Sequence, residues 1–364
     1  MDISLVLAVY NNLNYTKDCY NRIREIYPEA PLVISSGGSN DGTLEWLESL
    51  NDDYLSYIHD DDRLTFSDNF NSAINLVDTD KLVLIHNDMI IGENFLENLS
   101  ELIDEKTFIT YTTIEPPIFK GHKRAGKVIQ DFGSNFFDFN YTLFNQYVEK
   151  VKQNKDLVDG GAFFLSARKE SFIDVGLFDG FSFDPYFCED DDFLIRIKLK
   201  GYKLKTTECA VAYHFVSKTS RSDRETSRLS EHRNIRNFIR KWGMPIPVFN
   251  ELRYWEDDIF RFRTFTMGLT TRNESRLYNV EPYFNKIDLG RIPNEYITNE
   301  QPNTNYDLRS KFILTDTVDV MIYETGPIDD DDIYTINKIR LSIPHYEVGE
   351  YQIGNLLVEI RNKI

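Results

Sequence analysis

The feature that most constrains this chain is an alternation of short apolar runs with amphipathic segments from residue 3 to residue 86. ISLVLAVY (3–10) is almost wholly apolar, as a parallel strand covered on both faces must be. In the NNLNYTKDCYNRIREIY that follows, Cys19, Ile23 and Ile26 recur at helical spacing. PLVIS (31–35) predicts a second strand, ending in SSGGSNDGT, and TLEWLESL (43–50) a helix capped by Asp41 or Thr43. YLSYIH (54–59) predicts a third strand, residues 67–77 a helix, and KLVLIH (81–86) a fourth strand. Such alternation specifies a doubly wound α/β sheet, with ligands at the carboxyl ends of its strands. Polar clusters sit where that rule directs: Tyr10-Asn11-Asn12, Ser35 to Asp41, and His86-Asn87-Asp88.

Residues 105–155 are less regular. The basic loop HKRAGK (122–127) reads as a lid over a diphosphate or as a solvated loop. The aromatic stretch FGSNFFDFNYTLFNQY (132–147) suits either stacking on sugar faces or a hydrophobic core. Residues 158–179 predict a strand and a short helix, and DDFLIRIKLKGY a helix ended by Gly201. ECAVAYHF (208–215) predicts a strand ending in His214, and a charged loop, SKTSRSDRE, then runs into a helix. The texture changes after Met244-Pro245-Ile246-Pro247. Residues 1–245 are therefore expected to form one domain, and 246–364 a smaller α+β accessory region with a strand at 318–325 and an acidic helix start at 326–332. The accessory region carries no readable motif; self-association, acceptor binding or a degraded second α/β unit all suit it.

Charge narrows the function. Lys and Arg total 41 against 59 Asp and Glu, a net charge of −18, which argues against nucleic acid as a partner. The three cysteines, Cys19, Cys188 and Cys209, have no framework spacing and predict reduced thiols. Neither a leader peptide nor a membrane span is expected, so a cytoplasmic protein, soluble or peripheral to a membrane, is anticipated.

FCEDDDFLIR (187–196) sets four adjacent carboxylates, Glu189 to Asp192, between Phe187 and Phe193. They read either as a solvated helix start or as a base and metal site. DDDR (60–63) and DDDD (329–332) lack such apolar flanks and predict solvated loops or helix starts, so an acidic run alone decides nothing. Taken singly, SGGSNDGT is a turn or an anion-binding loop, IHND a polar loop or an oxygen-rich metal site, and His214 a structural residue or a ligand.

The order of these pieces is more specific than any one of them. AVYNN (8–12), GSNDGT (38–43), HND (86–88), GGAFFLSARKESFIDVGLFD (160–179), EDDDFLIR (189–196) and AYHF (212–215) together resemble the family-2 glycosyltransferases of GT-A fold over residues 1–245. The resemblance implies a Rossmann-like mixed sheet flanked by helices. It implies sugar transfer with inversion from a nucleotide-diphosphate sugar to a hydroxyl of a glycan, lipid-linked or protein acceptor, assisted by Mn²⁺ or Mg²⁺. It places the metal on Asp88 and His214, the base on Asp190, and Glu189 beside it on acceptor hydroxyls. It places the donor on Ala8, Tyr10, Asn11, Ser36, Gly37, Asp41, Asn71, His86 and Asn87. Asp192 and Arg196 would support the acidic element from its helix, and Asp191 would be plainly solvated. Two departures stand out. Ser36 replaces the family's base-reading Asp, and His86 replaces the first Asp of D-x-D, favouring Mn²⁺ because imidazole suits it. The alternatives are an inactive GT-A-like sugar- or nucleotide-binding module and another nucleotide-sugar enzyme, such as a nucleotidyltransferase. A homo-oligomer through residues 246–364 is also compatible.

Overall fold

A computed structural model of the chain describes residues 1–117, 125–216, 224–246, 265–313 and 318–363. His122 to Arg124 of the basic loop, the charged loop at 217–223 and Pro247 lie outside the described residues. The chain divides into two compact units, residues 1–180 with 184–228, and residues 181–183 with 229–364. The division falls before the Met244–Pro247 stretch, inside a helix.

The first unit opens with β1 (Ile3–Val9), α1 (Leu13–Ile26), β2 (Leu32–Gly37), α2 (Thr43–Ser49), β3 (Leu55–Asp60), α3 (Phe66–Leu76) and β4 (Lys81–Ile85). The expected alternation is therefore present, with ends within a residue or two of those predicted. It continues through β5 (Met89–Ile91), α4 (Phe95–Leu102), β6 (Thr107–Glu115), β7 (Lys127–Ile129), α5 (Tyr141–Val151), β8 (Leu157–Asp159), β9 (Leu165–Arg168), α6 (Lys169–Val175), α7 (Glu189–Leu199), β10 (Lys203–His214) and α8 (Arg224–Trp242). These strands make one mixed ten-stranded sheet in the order β3-β2-β1-β4-β9-β6-β10-β5, with β7 added to β6 and β8 to β10. The β3-β2-β1-β4 half is parallel, whereas β9 runs antiparallel to β4 and β6, and β5 antiparallel to β10. This is the mixed α/β architecture expected of a GT-A domain.

Burial explains the apolar runs. β1 and β4 are central, and Leu5, Val6, Leu82, Val83 and Leu84 are all fully buried, whereas β3 is an edge strand exposing Tyr57 and Ile58. The aromatic stretch 132–147 is mostly core. Phe132, Phe139 and Phe144 pack with Ile90, Ile114, Val211, Tyr213 and Phe215, beneath β5 and β10. Phe137 is the exception at 94% exposed.

The second unit takes in the later part of α8, then β11 (Met267–Thr270), α9 (Leu277–Val280), β12 (Lys286–Asp288), α10 (Asn294–Glu300), α11 (Leu308–Lys311), β13 (Val320–Glu324), α12 (Asp330–Ser342), β14 (Gly349–Ile353) and β15 (Leu356–Ile360). Its five-stranded sheet runs β12-β11-β13-β15-β14, parallel in the first three strands and closed by an antiparallel hairpin. The acidic run 329–332 is a helix start, but Asp332 is not solvated: it is buried and forms a reciprocal capping box with Asp329. Under the sheet, Arg240 meets Glu281 and Glu300, each at 2.7 Å, with all three side chains buried. Lys311 adds a second cation at 2.5 Å from Glu281.

Burial alone would raise the Glu281 carboxyl, but Lys311 and Arg240 overcome it and hold the group down at about 2. A carboxylate so depressed contributes stability above its ordinary 4.5, lost as pH falls toward 2. Arg240→Met should destabilise the second unit by about 3–5 kcal/mol at neutral pH, because the two buried carboxylates lose the cation they share. Denaturant unfolding should show that loss shrinking as pH falls toward 2, where Glu281 protonates.

Candidate active site

The site forms at the carboxyl edge of the parallel strands. β1, β2 and β3 end in register, with Val9 beside Ser36 and Ser36 beside His59. Asn69 of α3 clasps two of these ends, accepting from the Ser35 hydroxyl at 2.6 Å and donating to the Val9 carbonyl at 2.9 Å. The SGG turn then folds against residues 60–63, and Gly38 donates its N–H to the Asp60 carbonyl at 2.8 Å. Gly38 has φ +76°, and a Cβ there would lie 2.6 Å from the Arg63 backbone, so glycine is required. Gly37 is similarly confined, since a Cβ would meet Leu64 at 2.9 Å.

The expected donor residues divide into framework and open groups. Asn11, at φ +55°, donates its N–H to Ser39 Oγ and accepts the Asn40 N–H, each at 2.9 Å, which ties the β1 loop to the SGG turn. Asp41 does not cap α2, whose start is Gly42 with no side-chain cap. It caps α1 instead, accepting the Leu13 N–H at 2.8 Å, while its other oxygen takes the Thr43 hydroxyl at 2.6 Å. Ser36 is fully buried, its hydroxyl 3.1 Å from His59 Nδ1. Asn71 both donates to and accepts from the Phe178 backbone, at 2.8 and 2.9 Å, making it a clasp between α3 and the GLFD turn. Asn87 donates to Thr16 of α1 at 3.0 Å. Ala8 and Tyr10 are half-buried, and the Arg63 guanidinium lies 4.7 Å above the Tyr10 ring.

Strand pairing brings the remaining groups together. His214 stands opposite Met89 in the β5–β10 ladder, and the Phe215 N–H donates to the Asp88 carbonyl at 3.0 Å. Side chains 126 residues apart thereby meet, and His214 Nε2 lies 3.2 Å from Asp88 Oδ1. His86 completes the cluster, with one donor atom of each of His86, Asp88 and His214 within 4.8 Å of the others. Phe66, Phe70, Phe163 and Phe164 box in the His86 ring, and its Nε2 is buried with no hydrogen-bond partner among the described residues. Burial, and then the charge of His214, lower His86 to about 4, so it is a neutral imidazole. Burial pulls His214 the same way, but Asp88 and Glu115 outweigh it and raise it to about 9. The set of two imidazoles and one carboxylate suits a divalent transition-metal cation better than Mg²⁺.

The acidic quartet has several fates. Phe187 and Cys188, immediately before it, both adopt left-handed backbone, at φ +87° and +74°. Such conformations are costly for side chains of this size and concentrate at functional sites. Glu189 is buried, its Oε2 unpartnered among the described residues, and burial followed by the charge of Asp190 pushes its carboxyl well above the usual range. Asp190 is half-buried beside it. Asp191 is not plainly solvated as expected: it is half-buried, and burial plus its acidic neighbours push it up as well. Asp192 is fully buried and paired with Arg196 at 2.8 Å, the supporting arrangement expected of that pair.

Residues 4–175 match the model of glycosyl transferase family 2. Residues 4–175 are therefore identified as a family-2 glycosyltransferase domain. No curated protein matches it in sequence. Among solved structures it is similar to GalNAc-T7 with UDP, GalNAc and Mn²⁺ (14% identity, TM-score 0.47, 71% of this chain and 54% of that one). It is also similar to S. aureus TarS 1–349 with UDP-GlcNAc (14%, 0.46, 72% and 71%). A third is the mannosyltransferase PcManGT from Pyrobaculum calidifontis with GDP-Man and Mn²⁺ (18%, 0.45, 66% and 63%). The chain thus spans about half the length of GalNAc-T7. Among the described residues no helix is long and apolar enough to cross a membrane.

A cation entering this cluster must displace the proton on His214, which the metal-free protein holds up to about pH 9. Mn²⁺ affinity should therefore rise about tenfold per pH unit from pH 7 toward 9 and then level off. Calorimetric titration in buffers of differing ionisation enthalpy would show one proton released per ion.

Proposed function

We propose that the chain is a metal-dependent inverting glycosyltransferase, moving a sugar from a nucleotide-diphosphate sugar to a hydroxyl of a carbohydrate-bearing acceptor. The supporting observation is the convergence of His86 and Asp88, both inside the family-matched residues 4–175, with His214. Asp88 and His214 would hold the cation, with His86 as a third donor. Mn²⁺ is favoured over Mg²⁺, because Mg²⁺ demands oxygen-rich octahedral surroundings. A cation held there supplies positive charge against the leaving diphosphate.

The rest falls to the chain's own residues. The β1 loop and SGG turn, locked together by Asn11 and Asp41, present backbone N–H groups and the Tyr10 ring to the nucleotide. Ser36, engaged by His59, brings no carboxylate to the base, so the base is read by other groups of this pocket. Asp190 takes the acceptor hydroxyl's proton as its oxygen attacks the anomeric carbon from the face opposite the leaving group; that geometry inverts the centre. Glu189, whose carboxyl burial and then the charge of Asp190 push above the usual range, faces the acceptor hydroxyls beside the base. Three buried free cysteines fit a reducing, cytoplasmic setting.

A thermal-shift panel of UDP, dTDP, GDP, CDP and ADP, each with and without Mn²⁺, tests the donor site. One nucleotide should stabilise the protein only with metal, by about 2.7 kcal/mol at a hundredfold excess over Kd, and Asp88→Ala should abolish that shift. No shift with any nucleotide would instead mark an inactive binding module. Once a donor is known, Asp190→Asn should lower kcat by about 10²–10⁴ while leaving the nucleotide shift intact. Retained turnover in Asp190→Asn would remove it as the base.

A further inference from the structure

Behind the candidate metal cluster stands a carboxylate that no sequence motif marks. Glu115 is the last residue of β6, and the parallel β6–β10 ladder runs through Ile114 beside Tyr213, so Glu115 follows in register beside His214. Cross-strand neighbours in such a ladder project to the same face of the sheet. Glu115 Oε1 accordingly lies 3.8 Å from His214 Nδ1, an ion-pair distance rather than a hydrogen bond. Its other oxygen is held at 2.8 Å by Lys127 of β7. That strand is fixed to β6 by its own ladder and by the Gln130 N–H donating to the Glu115 carbonyl at 3.0 Å. All four side chains of the row Lys127, Glu115, His214 and Asp88 are largely buried, from 8% to 14% exposed.

The two ring nitrogens of His214 thus face different carboxylates, Nδ1 toward Glu115 and Nε2 toward Asp88 at 3.2 Å. Two ligand atoms bound side by side at about 2.1 Å from one cation stand about 3.0 Å apart. The Asp88–His214 separation is therefore already close to a bound geometry, and Glu115 is on the far side of the ring. We infer that Glu115 is a positioning residue for the metal site: its carboxylate faces the Nδ1–H of His214 and turns the Nε2 lone pair toward Asp88. The inference rests on the metal reading proposed above and adds to it a residue outside the ligand set. Histidine ligands whose second nitrogen is held by a carboxylate bind metal more tightly, and loss of the carboxylate weakens binding about 10- to 100-fold.

The test is Mn²⁺ titration calorimetry on the full metal-free chain at one pH. Glu115→Ala should raise Kd about 10- to 100-fold. Glu115→Gln, the same shape and still an acceptor, should raise it less and remains measurable if the alanine variant does not fold. Lys127→Met breaks the same ion pair from its other end; it should lower the melting temperature yet keep Kd within about threefold of wild type, because Glu115 still faces Nδ1. A wild-type Kd in both Glu115 variants, or equal weakening in Glu115→Gln and Lys127→Met, would overturn the inference and leave Glu115 as part of a fold-stabilising ion pair. If wild type itself binds no Mn²⁺, or Asp88→Ala binds it as wild type does, the metal reading falls and this inference falls with it. Weak binding in Asp88→Ala with unchanged binding in both Glu115 variants would remove the positioning role alone.

Discussion

The candidate site depends on one antiparallel pairing. β5 is three residues long, yet its ladder with β10 sets His214 opposite Met89 and ties Phe215 to the Asp88 carbonyl. Asp88 and His214 reach 3.2 Å because backbone hydrogen bonds leave them little choice. The aromatic cluster of Phe132, Phe139 and Phe144 packs against Ile90, Tyr213 and Phe215, so the same short ladder is secured from below by apolar burial. A segment that could have stacked on sugars instead fixes the strand that brings the candidate ligands together.

Charge is distributed by the same logic of paired burial. The second unit surrounds its buried Glu281 and Glu300 with Arg240, Arg236 and Lys311. In the acidic quartet of the first unit Asp192 pairs with Arg196, while Glu189 and Asp191 respond to burial and to their acidic neighbours by rising. Carboxyls raised in this way differ chemically from those in a salt bridge, since their surroundings favour the protonated form. The left-handed backbone at Phe187 and Cys188 precedes this group and belongs to the same local demand.

Much of this was legible in the residues, for definite reasons. Apolar runs covered on both faces announced β1, β2 and β4, and the polar residues at their ends marked the site edge. What escaped was whatever depends on register between distant strands. Glu115 lies in TYTTIEPP, with nothing local to distinguish it, and gains meaning only from the β6–β10 ladder. Asn69 and Asn71 sit two residues apart on α3, and the family resemblance pointed to the second. Packing gives Asn69 the ends of β1 and β2, and Asn71 the Phe178 backbone. Asp41 lies two residues before α2 but caps α1, a partner 28 residues away. The second unit gave no motif because its sheet is specified by burial alone, with Met267, Leu269, Val320 and Ile322 in its core.

The 126-residue separation of Asp88 and His214 also has a consequence for how the molecule comes into being. The β1 to β4 half is built from contacts between successive elements, which close short loops and form early. The β5–β10 ladder closes a far longer loop, and such pairings come late. A growing chain therefore carries the glycine-rich turns well before it carries the complete His86–Asp88–His214 cluster. Until β10 has docked, Asp88 and His86 are exposed on an unfinished sheet edge, and the chemistry proposed here has no place to occur.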